Sequence, residues 1–360
     1  MRTLALVLLA ALSAGGIYGG FALLLSPDGA FLQLPPGWLE GTPFRSYRVP
    51  GLVLLAVNGA LPAVAFALVW RRHPRAFLIV LLQGVLTSGW IGVQIALLRT
   101  FYAPLHAPFW LLGALLFGIG ARMSGDPFTW WLLVSRTVLF ALLHVSSFLV
   151  LQALGTKDAF DTASAWWLAY AAFVNIVTLA SLTRAREDLA SLWRFTAGTW
   201  RRDLGWLGGL LVVAGPIAWL PNRLMATAMW GNPDAGNALM FKPLPTAGLV
   251  AIALVFPLTQ ALAEIPLYFG HVAVRLARHV PSALATTIAA LFLSVQHAAL
   301  PLLTDGRFMA WRATMFLPFA LLVGFLIRRR PTLMPYIVVV HGLMDLQLPI
   351  LTYFVGRVPL

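Results

Sequence analysis

The sequence predicts an all-α, polytopic transmembrane helix bundle of about 11 spans with a cytoplasmic N-terminus. Three observations predict it. Of the 360 residues, 60% belong to the AVILMFWYC set and only 10% are charged, against roughly 25% charged in an ordinary soluble domain. The mean hydropathy is +0.85, so most of the surface must face lipid. Apolar runs recur along the chain, and about 20 such residues cross roughly 30 Å of hydrocarbon. These grounds exclude a soluble enzyme, a disordered chain and a nucleic-acid-binding domain. The absence of cysteine excludes a disulfide framework, a thiol nucleophile and a Cys-ligated metal.

The first span, at 3–25, holds Ser13-Ala14-Gly15-Gly16 inside a continuing apolar run. No small-residue cleavage boundary ends it, so it is expected to stay as an anchor. Further spans are expected at 51–70, 76–98, 108–122, 128–154, 165–183, 206–221, 246–272, 281–300, 309–327 and 332–354. The loops at 26–50 and 222–244 are rich in Gly, Pro and Asn, the residues of turns. The segment at 184–205 is the longest polar stretch. Leu189, Leu192, Trp193 and Phe195 there could form the apolar face of an interfacial helix; a basic loop held at the headgroups is the plainer expectation.

Basic residues orient the bundle. With the N-terminus in the cytoplasm, fifteen of the 25 Lys and Arg fall in inside loops, Arg186 among them, and nine in outside loops, Arg312 among them. Both tight clusters, Arg71 to Arg75 and Arg328 to Arg330, then lie inside. The formal net charge of +13 is therefore an orientation signal and an attraction to anionic headgroups. Membrane lipid is the expected partner, and nucleic acid is not.

A boundary is expected near Ser124-Gly125-Asp126-Pro127. Residues 1–125 form an N-terminal module of about four helices with no acid inside a span and no obvious site. The stretch from Ser26-Pro27-Asp28 to Gly41-Thr42-Pro43-Phe44 resembles a small bacterial membrane module, a likeness that implies no activity.

Ionisable groups within a bilayer are costly unless paired or hydrated, and so are functional by default. Ten of the twelve acids, Asp203 among them, are expected in loops, which leaves Glu264 and Asp345. Of the seven histidines, His144, His297 and His341 lie well inside spans. Glu264, His297, His341 and Asp345 thus concentrate in the last four spans. His144 stands apart, with Ser146 and Ser147 beside it for helix–helix hydrogen bonding. Arg136 also stands apart and is expected to snorkel toward the surface.

Spacing sharpens the cluster. His341 and Asp345 are i, i+4 on one helical face, and Gln260, Glu264 and Tyr268 form a similar stripe. By helical rise, Glu264, His297 and Asp345 lie roughly 16, 24 and 20 Å from the cytoplasmic ends of their spans, at comparable depth. Pro257 and Pro266 can kink the eighth span and open space around Glu264. A carboxylate beside a histidine at that depth fits a general base that activates water. The second His and Asp would serve a developing oxyanion. Two His and two carboxylates could also hold Zn²⁺, but the spacing is not His-Glu-x-x-His, so direct ligation is less favoured.

Three motifs carry a resemblance: Ala263-Glu264-Ile265-Pro266-Leu267-Tyr268-Phe269-Gly270, then Leu293-Ser294-Val295-Gln296-His297, then His341-Gly342-Leu343-Met344-Asp345. In order, they resemble the CPBP family of intramembrane proteases (CAAX prenyl endopeptidases and bacteriocin-processing or abortive-infection proteins). That family carries Glu-Glu-x-x-x-Arg-Gly, Phe-x-x-x-His and His-x-x-x-Asn or Asp on successive helices. The likeness covers roughly residues 205–357, within a domain spanning 126–360. Two registers fit the first motif. With Gly270 aligned, Glu264 is the first Glu, while Ile265 and Phe269 replace the second Glu and the Arg together. In the other, Ala263 replaces the first Glu and Glu264 is the second, which would remove the base. The first is preferred because it keeps the Gly and deletes a buried pair as a unit. In the second motif Leu293 takes the Phe position. Asp345 stands where many members have Asn; ionised, it would orient His341, and only protonated could it donate to an oxyanion.

The resemblance implies intramembrane proteolysis, by a glutamic-type or metal-dependent endopeptidase of the bacterial plasma (inner) membrane. Glu264 would activate water with His297 assisting, His341 and Asp345 would form the oxyanion side, and Gln260 and Tyr268 would support. No metal is strictly required; if zinc binds, its ligands are Glu264, His297 and His341. The substrate would be a protein or peptide, membrane-anchored or prenylated. Two other readings stand beside it. One is a catalytically inactive CPBP-like scaffold or binding protein. The other is a proton-coupled transporter using Glu264, His297 and Asp345 as a relay, against which the lack of an internal repeat counts.

Overall fold

Lipid offers no partner to a backbone N–H or C=O, so a spanning segment must pair its own groups. The computed structural model describes residues 1–40, 42–98, 102–184 and 188–355, and among them every named element is a helix. The apolar segments are α1 (Arg2–Leu25), α2 (Arg48–Trp70), α3 (Ala76–Leu98), α4 (Ala103–Met123), α5 (Pro127–Ala153), α6 (Trp167–Arg184), α7 (Trp200–Trp230), α8 (Thr246–Leu276), α9 (Ser282–Ala298), α10 (Gly306–Arg329) and α11 (Pro331–Phe354). Ten are long and apolar enough to cross a membrane, and α9 is apolar but shorter. The chain is therefore an all-α, multi-pass integral membrane bundle. The expected span at 108–122 is the fuller helix α4, and the one at 206–221 runs on through Pro216 and Pro221.

The chain divides into two compact units, one of Met1–Trp131 with Thr304–Gly306, the other of Leu132–Leu303 with Arg307–Leu360. In the first, small residues set the helix crossings. A Cβ on Gly16 would collide with the Asn58 backbone, and one on Gly120 would stand 2.8 Å from Leu81; such close approach is what drives helix association without a hydrophobic force. α2 widens to a π-helical turn over Leu55–Ala60, and Ser13 Oγ donates to Gly59 O across the α1–α2 contact (2.8 Å). Leu9, Leu12, Val69, Val80 and Leu116 form the apolar core. In the loop before α2, Gly29 takes φ +80°, and a Cβ there would stand 2.7 Å from the Tyr47 ring. Tyr47 Oη donates to Pro35 O (2.8 Å), closing this loop on itself.

In the second unit the core gathers Phe140, Trp167, Leu168, Phe256, Phe308 and Trp311. α8 packs against α6 and α11, and α9 against α10. The polar segment before α7 contains a short helix, Leu189–Trp193, begun by Asp188, whose side chain accepts from Ser191 N (3.3 Å). Leu192 packs on Gly270, and Phe195 meets the Tyr336 ring edge-on at 4.8 Å. A basic loop was the plainer expectation; a short helix stands here instead, and Phe195 keeps an exposed face. The Leu189 side chain and Arg186 lie outside the described residues. Asp203 is a second correction: it sits in the first turn of α7, fully buried, and accepts from Thr199, from Arg330 Nε at 2.6 Å and from Thr332 at 2.9 Å. The loop expectation missed that a buried acid stays where a cation and two hydroxyls answer it.

Candidate functional site

Glu264 falls in the last turn of the α-helical part of α8, just before Pro266 opens a π-helical turn over Pro266–Val272. Proline cannot donate to the preceding turn, and such π-bulges concentrate at functional sites. Gln260, Glu264 and Tyr268 are all buried. The Glu264 carboxyl is 3% exposed. Its Oε1 accepts from Gln296 Nε2 at 2.6 Å and pairs with Arg136 Nη2 at 3.5 Å. Its Oε2 stands 3.5 Å from His341 Nε2.

Arg136 is the main departure from expectation. It is fully buried and turned inward, and does not snorkel. Nε donates to Gln296 Oε1 (2.8 Å), Nη1 to Asn175 Oδ1 (2.6 Å) and Nη2 to Gln260 Oε1 (3.4 Å). The amides close the network. Asn175 Nδ2 donates to Gln260 Oε1 (2.8 Å), and Tyr268 Oη donates to Gln296 Oε1 (3.0 Å). A guanidinium fork has five donors and no acceptor, so a ring of amide oxygens and a carboxylate suits it. Four helices, α5, α6, α8 and α9, meet through this one side chain.

His297 lies in a 3₁₀ turn, Gln296–Ala298, that ends α9, and not in the interior of a longer helix as expected. Its Nδ1 stands 2.8 Å from Leu293 O, and its ring packs 4.4 Å from Phe316. His297 follows Gln296, whose side chain bonds Glu264, directly in the chain. Ending α9 early frees backbone carbonyls, and Arg312 answers one: its Nε and Nη2 both donate to Leu300 O, at 3.1 and 2.6 Å. Arg312 is buried between Phe316 (5.4 Å) and Trp167 (6.0 Å). It is a structural cation of the interior, and its assignment to an outside loop is corrected.

His341 and Asp345 share one face of the helix Met334–Asp345, with Nε2 and Oδ2 3.3 Å apart. His341 is 15% exposed and Asp345 13%. A small cleft of about 30 Å³ adjoins His341, walled by Leu207, Leu211, Phe319 and Met344 among others; one water requires roughly 10–15 Å³. Gly342 makes the approach of α11 to α8 close, since a Cβ there would stand 3.1 Å from Ala261 Cβ.

The structure thus brings Glu264, His341 and Asp345 into contact, links Gln260 and Tyr268 to them through Gln296 and Arg136, and sets His297 next to Gln296 in the turn that ends α9. His144 stays apart. Its ring is buried against Phe160 (4.5 Å) and Tyr170 (6.4 Å), with no hydrogen-bond partner on either nitrogen among the described residues. Ser147, expected to hydrogen-bond between helices, has Tyr170 of α6 as a side-chain partner. Sequence reasoning sent Arg136 to the surface and Arg312 to an outside loop, and did not select Asn175 or Gln296. For the two arginines the signal was present, as intramembrane charges. Asn175 and Gln296 are neutral, and a charge filter does not select them.

Among the described residues, no three His, Asp or Glu side chains stand at metal-ligand spacing. Glu264 Oε1 is already occupied by an amide and a guanidinium, and that guanidinium opposes a second cation. Glu264 Oε1 is thus taken as arranged, and no step is routed through a metal. The chain matches no family model, no curated protein and no solved structure.

Proposed function

We propose that this protein is an intramembrane endopeptidase that hydrolyses peptide bonds with a water activated by Glu264. The observation that carries the proposal is the asymmetry of that carboxyl. Oε1 is fixed by Gln296 and Arg136, while Oε2 faces His341 at 3.5 Å. A fixed carboxylate with one oxygen directed at the more exposed His341 side is the geometry of a general base. Glu264 takes the proton as water attacks the carbonyl carbon, and His297 assists the transfer. His341, whose Nε2 lies by Glu264 and Asp345, donates from that nitrogen to the oxyanion. The proton then passes to the leaving amine. The likeness to CPBP proteases supports the same roles, and Arg136 supplies from another helix the cation that Phe269 displaces from the first motif. On this reading the substrate is a membrane-anchored or prenylated peptide chain, the setting a bacterial plasma membrane, and no metal takes part.

A specific observation favours a second reading, an inactive scaffold. The Arg136 network joins four helices with nearly every polar group satisfied, as a structural clamp would. Cleavage of a membrane-anchored reporter library in isolated membranes separates the two. The hydrolase reading expects activity that Glu264→Gln and His297→Ala each abolish and that chelators leave intact. Cleavage unchanged in both variants would refute it.

A further inference from the structure

α3 carries a polar stripe, Gln83, Thr87, Trp90 and Gln94, at the spacing of one helical face. Gln83 Oε1 excepted, its first half finds donors and acceptors. Gln83 Nε2 donates to Val57 O (3.0 Å) and Asn58 Oδ1 (3.3 Å), and Thr87 Oγ1 donates to Asn58 Oδ1 (3.0 Å). The second half differs. Trp90 Nε1 and Gln94 Oε1 are buried with no hydrogen-bond partner among the described residues. Such groups in a native interior call for an explanation.

Both residues line a half-open cavity of about 190 Å³ in the first unit. Leu23, Leu54, Leu97 and Phe109 contribute apolar walls, and Trp38 and Phe44 come from the loop that Tyr47 closes. No Lys, Arg, His, Asp or Glu is among the lining residues. An apolar cavity of about 150 Å³ stays dry and takes up benzene, so this one has room for part of a hydrocarbon chain. Ligand sites have this make-up, mostly apolar with a few placed polar groups.

We propose that this cavity binds an uncharged single-chain amphiphile whose polar end pairs a hydrogen-bond acceptor with a donor, as in a monoacylglycerol or a primary fatty amide. The acceptor takes the Trp90 N–H and the donor meets Gln94 Oε1. One helical turn sets the two side chains about 5–6 Å apart at Cβ, a span that one small polar end can bridge. An ionised headgroup has no counter-charge here and is disfavoured. A bare hydrocarbon leaves both groups unpaired.

The test uses the full chain in nanodiscs with a photoactivatable monooleoylglycerol, labelled peptides being mapped by mass spectrometry. Saturable labelling of α3 or the loop before α2 is expected, displaced by unlabelled monooleoylglycerol and oleamide but not by hexadecane or phosphatidylglycerol. Gln94→Leu removes the unpaired acceptor and is expected to weaken binding by about tenfold. Leu97→Trp, which fills the cavity, is expected to abolish it. Melting without ligand checks that each variant folds, and Trp90→Phe decides by the same criterion if Gln94→Leu does not. Labelling that is unsaturable or maps elsewhere, equal competition by hexadecane or phosphatidylglycerol, or a folded Gln94→Leu that binds as wild type overturns the proposal.

Discussion

At the scale of single residues, the buried charge of Glu264 is answered by Arg136, whose remaining donors go to Gln296, Asn175 and Gln260. Removing one partner of such a pair strands the other, at a cost of about 3–5 kcal/mol. Arg136→Met is therefore expected to lower the melting temperature sharply. Adding Glu264→Gln to it should restore much of the loss, since no charge is then left unpaired. A thermal-melt double-mutant cycle reads both, and additive losses would contradict the pairing. The His341–Asp345 pair was legible in the sequence, because i, i+4 on a helix fixes proximity whatever the rest of the fold does. The Arg136 partnership was not. Its place near a helix end fits snorkelling equally well, and only the packing of α6, α8 and α9 supplies the oxygens that turn it inward.

At the scale of elements, two breaks shape the site: the π-helical turn after Glu264 and the early end of α9 at His297. Pro266 announces the first in the sequence. Pro301, three residues past Ala298, marks the second in the sequence, but the residue that stabilises it, Arg312, is on the next helix and bonds Leu300 O from there. Arg312→Met is expected to leave that carbonyl unpaired, costing about 1–3 kcal/mol. It should also reduce cleavage by loosening the turn that holds His297. Melting and activity measured on one preparation test this, and a variant with wild-type stability would contradict it. Gly342 governs the approach of α11 to α8. Gly342→Val places methyl groups against Ala261 and the Pro257 carbonyl. Activity should fall much further than stability, since His341 is moved off Glu264, while Gly342→Ala should have a smaller effect. Equal losses of activity and stability would contradict this account.

At the scale of the whole molecule, composition sufficed for the class. A chain with 10% charged residues cannot clothe itself for water, and eleven apolar helices result among the described residues. The distribution of Lys and Arg predicts which way they run. Because the chain has no cysteine, single engineered cysteines report topology without background. A cysteine at His73 is expected to react with a membrane-impermeant maleimide only after permeabilisation, and one at Asn232 in intact cells; the reverse pattern would overturn the N-in orientation. The central claim is that Glu264 activates water against a peptide bond within this bundle. Its most direct measurement is cleavage of membrane-anchored peptides by the purified protein in ¹⁸O-water, with a chelator present. The account predicts one ¹⁸O atom in each newly formed carboxyl group and no product from Glu264→Gln. No cleavage by the wild-type protein, or equal labelling by the Glu264→Gln variant, would contradict it.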